Sequence, residues 1–279
     1  VFPELSLTGY PPQDLLLDSN FLDLVDREVQ NIKDIVLNQV VVLGVPRRQD
    51  GSLFNSAAII QNGEVLGYRD KTLIPSYDVF DESRYFSPSK NVNPIQVTLG
   101  AKDISLGVQI CEDLWDDGYD KKITNMLIEK GAEMIINISA SPFRKNILNK
   151  RIEMIRVRAN DLKYYFIYCN LVGGQDELVY DGRSVIMNSS GQVNQIANMF
   201  EEDIVDFDSE IDTFNFSDIN VLGLSDDEKK YRALCLGVSD YFQKSGFKKA
   251  ILGLSGGIDS ALTAAIAVEA LGNDNVIGV

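Results

Sequence analysis

The sequence predicts an α/β protein in two parts: a large mixed-sheet domain, then the opening of a second α/β domain. Three observations predict it. From Val1 to about residue 200, short β-branched runs alternate with amphipathic stretches, the pattern of layered α and β structure. Several strands there follow one another with no helix between them, which requires antiparallel neighbours and excludes a purely parallel doubly wound sheet. Further on, one apolar run passes through a glycine turn into a helix and then into another apolar run, which is a βαβ unit.

Along the chain, helical spacing of apolar residues predicts helices at 19–38, 118–130 and 146–162. Strands are expected at 40–45, 54–60, 64–69, 104–110, 133–138, 164–169, 183–188 and 192–197. Asn62-Gly63 has the composition of a type I′ hairpin turn between two of them. Residues 206–224 lie in an acidic, irregular stretch and read as a linker between a domain at 1–205 and another at 225–279. Ser225-Asp226-Asp227-Glu228 has capping-box spacing, so a helix should run to about Ser245 before Gly246 ends it. A strand at 250–254, a turn at 255–259, a helix at 260–271 closed by Gly272 and a strand opening at 275–279 complete the reading.

Composition narrows the function. Twenty-six Lys and Arg against forty-one Asp and Glu give a net charge of −15, which repels phosphate backbones and anionic membrane surfaces. No nucleic-acid or membrane partner is expected. No apolar run approaches the roughly 18 residues of a membrane span. The cysteines Cys111, Cys169 and Cys235 are odd in number and lack CxxC spacing, which argues against a disulfide framework or a cysteine zinc site and suits a reducing cytoplasm. The absence of histidine excludes His-dependent triads, so chemistry must run on carboxylates, lysine, thiol, hydroxyls or backbone.

Two segments carry that chemistry. In the first, Ser255-Gly256-Gly257-Ile258-Asp259-Ser260 joins a strand to a helix, where free amides and the helix dipole favour an anion. Gly256 and Gly257 permit positive φ and close backbone approach, and the serine hydroxyls add donors. It is not a Walker A loop, because no lysine follows the glycines. A plain glycine turn, with Asp259 or Ser260 capping the helix, remains the alternative.

In the second, a buried run at 106–110 delivers Cys111 at its carboxyl end, followed by Glu112 and Asp113. Strand ends present reacting groups, although a cysteine there is more often core. Glu4 closes an apolar run and Lys71 follows a strand; taken singly, each reads as a surface charge.

Together the FPEL, DKTLIP and GVQICEDLW stretches resemble the nitrilase superfamily. The resemblance implies a four-layer α-β-β-α sandwich in which Glu4 is general base, Lys71 stabilises the oxyanion and Cys111 is nucleophile. Glu82 in DESRYF matches a second glutamate that supports the lysine. SGGIDS resembles the PP-loop of ATP pyrophosphatases, which implies the start of a Rossmann-like domain. It further implies that Ser255, Gly256, Gly257, Ile258, Asp259 and Ser260 bind ATP, with Asp259 expected to help hold Mg²⁺.

FPELSLTGYPPQDLL, DVFDESRYF, GVQICEDLW and LGLSGGIDSALTAAIA, in this order, resemble the glutamine-dependent NAD synthetase family over nearly the whole chain, truncated at both ends. That resemblance implies ammonia made from glutamine at one site and used at the other to amidate deamido-NAD, with release of AMP and pyrophosphate. Tyr77 and Glu112 match positions that contact glutamine. Ser139, Ser141 and Arg144 are candidates to complete the pocket, although Arg144 reads equally well as a solvated helix-start charge. Nitrilase-type domains generally associate, so a homo-oligomer is expected. Two other readings stay open: an amidase for another amide, and a non-enzymatic assembly module.

Overall fold

A computed structural model describes residues 1–208 and 224–279. The expected linker therefore lies, apart from its ends, outside the described residues. Strands β1 (Val41–Gln49), β2 (Ser52–Gln61) and β3 (Glu64–Asp70) form one antiparallel sheet. A second sheet has six strands in the order β11-β10-β7-β6-β5-β4. Its centre is parallel, from β5 (Lys102–Ile110), β6 (Met134–Ser139) and β7 (Tyr165–Asn170). Antiparallel strands β4 (Ile95–Leu99), β10 (Val185–Asn188) and β11 (Val193–Ile196) extend it.

Period-two alternation stacks these sheets face to face. Val42, Ala57 and Ile59 from the first sheet meet Leu106, Val108 and Ile136 from the second in one buried cluster. Their neighbours one residue on, Leu43, Ala58 and Ile60, point the other way onto Val29 of helix α1 (Ser19–Ile35). Behind the second sheet, Ile135 and Phe166 pack on α2 (Ile123–Glu129) and α3 (Ile147–Ala159) through Leu127, Ile152 and Ile155. The result is the α-β-β-α order of layers. Each fully buried aliphatic side chain contributes about 1.5–3 kcal/mol to holding it.

Several boundaries differ from the sequence expectation. Helix α1 stops at Ile35 rather than 38, because the carbonyls of Val36 and Leu37 accept from Gly63 and Asn62 of the hairpin. Asn62 and Gly63 do both take positive φ, as type I′ requires. Helix α2 starts at Ile123 rather than 118: Asp116–Gly118 is a separate 3₁₀ turn, and the Asp116 carboxylate accepts from the Ile123 amide at 3.1 Å. The edge strand β4 and the short hairpin of β8 (Val172–Gln175) and β9 (Leu178–Asp181) carry too little periodicity to be read from sequence.

The second part begins with α4 (Asp226–Ser245), whose Ser225 hydroxyl accepts from Glu228 N at 3.1 Å and whose cap Gly246 has φ 73°. Parallel β12 (Ala250–Leu252) and β13 (Val276–Gly278) flank α5 (Ile258–Leu271), which completes the βαβ unit. Helix α5 starts at Ile258 instead of 260 with Gly257 at its cap, so neither Asp259 nor Ser260 occupies that position. Helix α4 docks on the β8–β9 hairpin, where Asp240 accepts from Gly174 N at 2.6 Å. The fit is close: a Cβ on Gly174 would meet the Gly237 Cα at 2.9 Å.

Candidate active site

The chain before α1 is laid along β1, with Phe2 N donating to Val42 O at 2.9 Å and Leu7 N to Gly44 O at 3.3 Å. Gly44 makes room for it; a Cβ there would stand 2.3 Å from Pro3 O and 2.4 Å from Leu5 N. This contact pushes Glu4 into the interior, where it is fully buried. Its Oε2 accepts from Ala140 N, just after β6, at 2.8 Å. Its Oε1 accepts from Lys71 Nζ and from Asn55 Nδ2, each at 2.7 Å.

Lys71, at the end of β3, also donates to Glu82 Oε1 at 2.6 Å. Glu82 in turn accepts from Tyr10 Oη at 2.7 Å and from Asn55 Nδ2 at 3.3 Å. One ammonium group thus faces two carboxylates in the buried interior. Burial by itself lowers the Lys71 pKa, but the charges of Glu4 and Glu82 outweigh it and hold the group well above the ordinary lysine value. Burial raises Glu82, with the Lys71 charge pulling against it.

Cys111 follows β5 and opens a 3₁₀ turn, Cys111–Leu114, with φ 41°. Positive φ in a residue with a Cβ is strained and recurs where a reacting side chain is turned out of a strand. The residue is 6% exposed. Burial raises the thiol well above its ordinary value, the Glu4 charge raises it further and Lys71 opposes them. Cys111 is therefore a neutral thiol at rest, within electrostatic reach of both Glu4 and Lys71.

Asp113 is the residue that joins these strand ends. Its Oδ1 accepts from Thr72 N at 3.0 Å and Leu73 N at 2.9 Å, and its Oδ2 accepts from Ile110 N at 3.2 Å. Arg69 stands 3.6 Å from Oδ2 as counter-charge. One fully buried carboxylate thus sets the backbone after Lys71 against the backbone before Cys111. Asp113→Ala is expected to cost about 3 kcal/mol of stability, since it strips buried amides and a buried guanidinium of their acceptor. Urea unfolding measures this, and a loss below about 1 kcal/mol would contradict the tether.

The structure brings Tyr77 and Glu112 together: Tyr77 Oη donates to both Glu112 oxygens at 2.9 Å. Tyr119, which the sequence did not single out, donates to Glu112 Oε1 at 3.0 Å, and burial beside that carboxylate pushes its phenol up to about 12. Ser139 and Ser141 are turned to internal work. The Ser139 hydroxyl donates to Asn137 at 2.7 Å, and the Ser141 hydroxyl accepts from Arg151 at 3.0 Å. Arg144 is exposed, its guanidinium 5.8 Å from the centre of the Trp115 ring.

Burial raises the Glu112 pKa. A carboxyl raised in the folded state loses stability as pH climbs from its unfolded value, about 4.3, through its folded one. Glu112→Gln lacks that loss. Its stability relative to the parent should accordingly rise between pH 4 and pH 8, as denaturant midpoints would record; a difference independent of pH would show that burial does not penalise this charge.

The glycine turn stands apart and open to solvent. Gly256 has φ 80°, Ser255 Oγ lies 3.2 Å from Ser260 Oγ, and Ser260 Oγ donates to Gly257 O at 3.0 Å. Ile258 is 81% exposed and Asp259 sits in the first turn of α5. Among the described residues no group of three or more His, Cys, Asp and Glu is arranged to hold a metal. Asp259 is a single carboxylate beside a phosphate-type turn, which suits Mg²⁺ carried mainly by phosphate oxygens. No helix among the described residues is long and apolar enough to cross a membrane.

Sequence reasoning missed Asn55, Tyr10, Asp113 and Tyr119. A signal existed for Asn55, an amide between the apolar pieces Leu53-Phe54 and Ala57–Ile60 of β2, and for Asp113, an acid three residues after a buried strand.

Comparison with known proteins agrees with this geometry. The carbon-nitrogen hydrolase family profile matches residues 1–213, and the NAD synthase profile matches residues 230–279. The glutamine-dependent NAD(+) synthetase of Synechocystis sp. is 39% identical over 99% of this chain and 52% of its own length. That of Thermotoga maritima is 37% identical over the whole chain and 53% of its own. The chain spans about half the length of these relatives. A glutamine-dependent NAD+ synthetase from Acinetobacter baumannii, solved with ADP, superposes with a TM-score of 0.86 at 34% identity, over 99% of this chain and 51% of that one. A carbon-nitrogen hydrolase from Helicobacter pylori shares the fold, with a TM-score of 0.58 at 23% identity over 72% of this chain and 73% of that one. With its layers, its buried Glu-Lys pair and its strand-end cysteine, the chain belongs to the carbon-nitrogen hydrolase family, in the arrangement that sets an NAD synthase segment after the hydrolase.

Proposed function

We propose that residues 1–205 are the glutaminase, and residues 225–279 the start of the synthetase, of a glutamine-dependent NAD synthetase. The observation that carries this reading is the convergence of Glu4, Lys71 and the buried Cys111 thiol in one site. Glu4 takes the thiol proton as sulfur attacks the amide carbon of glutamine, so the nucleophile is activated only when substrate is present. Lys71 stands where negative charge develops on the amide oxygen, and Glu82 holds it charged. The tetrahedral intermediate expels ammonia with the proton from Glu4 and leaves a glutamyl thioester. Water, deprotonated by Glu4, then attacks the thioester carbon, the C–S bond breaks to release glutamate, and the proton on Glu4 returns to sulfur.

Tyr77, Glu112 and Tyr119 form a polar cluster in which the Glu112 carboxylate is available to the α-ammonium of glutamine. Arg144 can grip its α-carboxylate in a bidentate fashion. At the turn of Ser255 to Ser260, backbone amides and hydroxyls would bind the phosphates of ATP, with Asp259 toward Mg²⁺, which supplies charge neutralisation there. Adenylation of the deamido-NAD carboxylate makes it reactive toward ammonia, yielding NAD, AMP and pyrophosphate.

The test is a covalent trap. Full-length protein treated with an electrophilic glutamine analogue should gain one adduct, at Cys111, and glutamine should protect against it. Labelling confined to Cys169 or Cys235 would reject the assignment.

A further inference from the structure

A cleft of about 440 Å³ lies between residues 143–149 and the start of α4, and neither Cys111 nor Lys71 lines it. Besides Arg144, already given to the glutamine carboxylate, its wall carries Lys145, Arg183, Lys229 and Lys230, with Asp181 and Asp226. Asp181 is already committed, since both its oxygens accept from Arg151 Nη1, at 2.8 and 3.0 Å. Asp226 is shared between Lys145 at 3.4 Å and Lys229 at 3.8 Å. Arg183 has no ion-pair partner among the described residues. In a chain of net charge −15, this is a local excess of positive charge.

Arg183 makes the cleft more than a surface patch. It is 5% exposed, its Nη1 donates to Ala197 O at 3.1 Å, and its Nε has no partner. Burial lowers its pKa, and its backbone is held at φ 55°. The one carboxylate that acts on it, Asp181, is hydrogen-bonded to Arg151 instead, and a desolvated guanidinium so weakly compensated is costly unless an anion completes it. The amino end of α3 lies on the same wall, and its cap residue, Asn146, offers no side-chain acceptor to the first-turn amides.

We propose that this cleft is a second binding site, for the pyrophosphate group of a small molecule, either free pyrophosphate or a nucleoside polyphosphate. A monocarboxylate would answer one of these cations, whereas a pyrophosphate carries several charges on forked oxygens that match a guanidinium. The site stands where the hydrolase meets the first helix of the NAD synthase segment. Its ligand therefore bridges the two parts.

Calorimetric titration of the full-length protein tests this with two probes: a non-hydrolysable ATP analogue, then inorganic pyrophosphate added over saturating analogue. Binding of pyrophosphate over the analogue identifies the free anion as ligand, whereas a second equivalent of analogue identifies the nucleotide. In either case R183Q should weaken that equivalent by about tenfold or more. So should the double variant K145E/K229E, whose positions are exposed enough to spare the fold. The absence of both signals, or affinities unchanged in both variants, overturns the proposal.

Discussion

Cys111→Ala is expected to lower glutamine-driven NAD formation by the full-length protein by about three orders of magnitude, roughly 4 kcal/mol in the barrier, while ammonia-driven formation continues. The asymmetry follows from the covalent step. Without sulfur no thioester forms, and Glu4 and Lys71 are left with a water that is not held as a nucleophile against the amide carbon. In the proposed division the ammonia is used at the glycine-turn domain, away from the thiol, so free ammonia should bypass the lesion. Parallel assays with glutamine and with ammonium salts decide the matter. Equal losses with both donors would show that the two sites do not divide the work as described.

Lys71→Met has the other large effect, and it strikes stability as well as rate. Removing the ammonium leaves Glu4 and Glu82 facing each other in a buried pocket. Breaking a buried ion pair in this way costs about 3–5 kcal/mol. Loss of the positive charge at the developing oxyanion should also cost about 10²–10³ in the glutaminase rate. The sign of the pH dependence follows from the shifts. Lys71 has a raised folded pKa, so its stabilisation is fully present below its unfolded value of about 10.4 and is lost only as pH rises through the folded value. In the variant Glu82, raised by burial, loses the Lys71 charge that opposed that rise, so the deficit should shrink as pH falls toward about 5. Adding Glu82→Gln should restore part of the stability and none of the activity. Denaturant midpoints of the two single variants and the double variant give the coupling, and additive effects would refute the shared buried charge network.

Much of this architecture was legible before any coordinates. The alternation of Val42 with Leu43 and of Ala57 with Ala58 already says that β1 and β2 are covered on both faces, which a lone antiparallel sheet would not need. Asn62-Gly63 marks its turn, and Ser225 and Gly246 mark the ends of α4. The strands that escaped, β4, β8 and β9, are short or glycine-bearing. They exist because a neighbour supplies hydrogen bonds: β4 pairs along β5, and the β8–β9 hairpin is packed by α4. Local propensity cannot report such partners.

The site divides along the same line. The sequence alone determined which chemistry was available: no histidine, a strand-end cysteine, a lysine after a strand, acids in the right stretches and a glycine turn before a helix. Side-chain types and local spacing are properties of the chain, so they can be read from it. Only the tertiary structure decided that Glu4 reaches Lys71 across 67 positions, that Tyr10 and Asn55 both donate to Glu82 and Asn55 to Glu4 as well, and that one Asp113 carboxylate binds both strand ends. Those contacts come from two sheets stacked face to face. Their energies depend on burial, which removes water and couples ordinary charges to one another, so that the Cys111 thiol is raised well above its ordinary value.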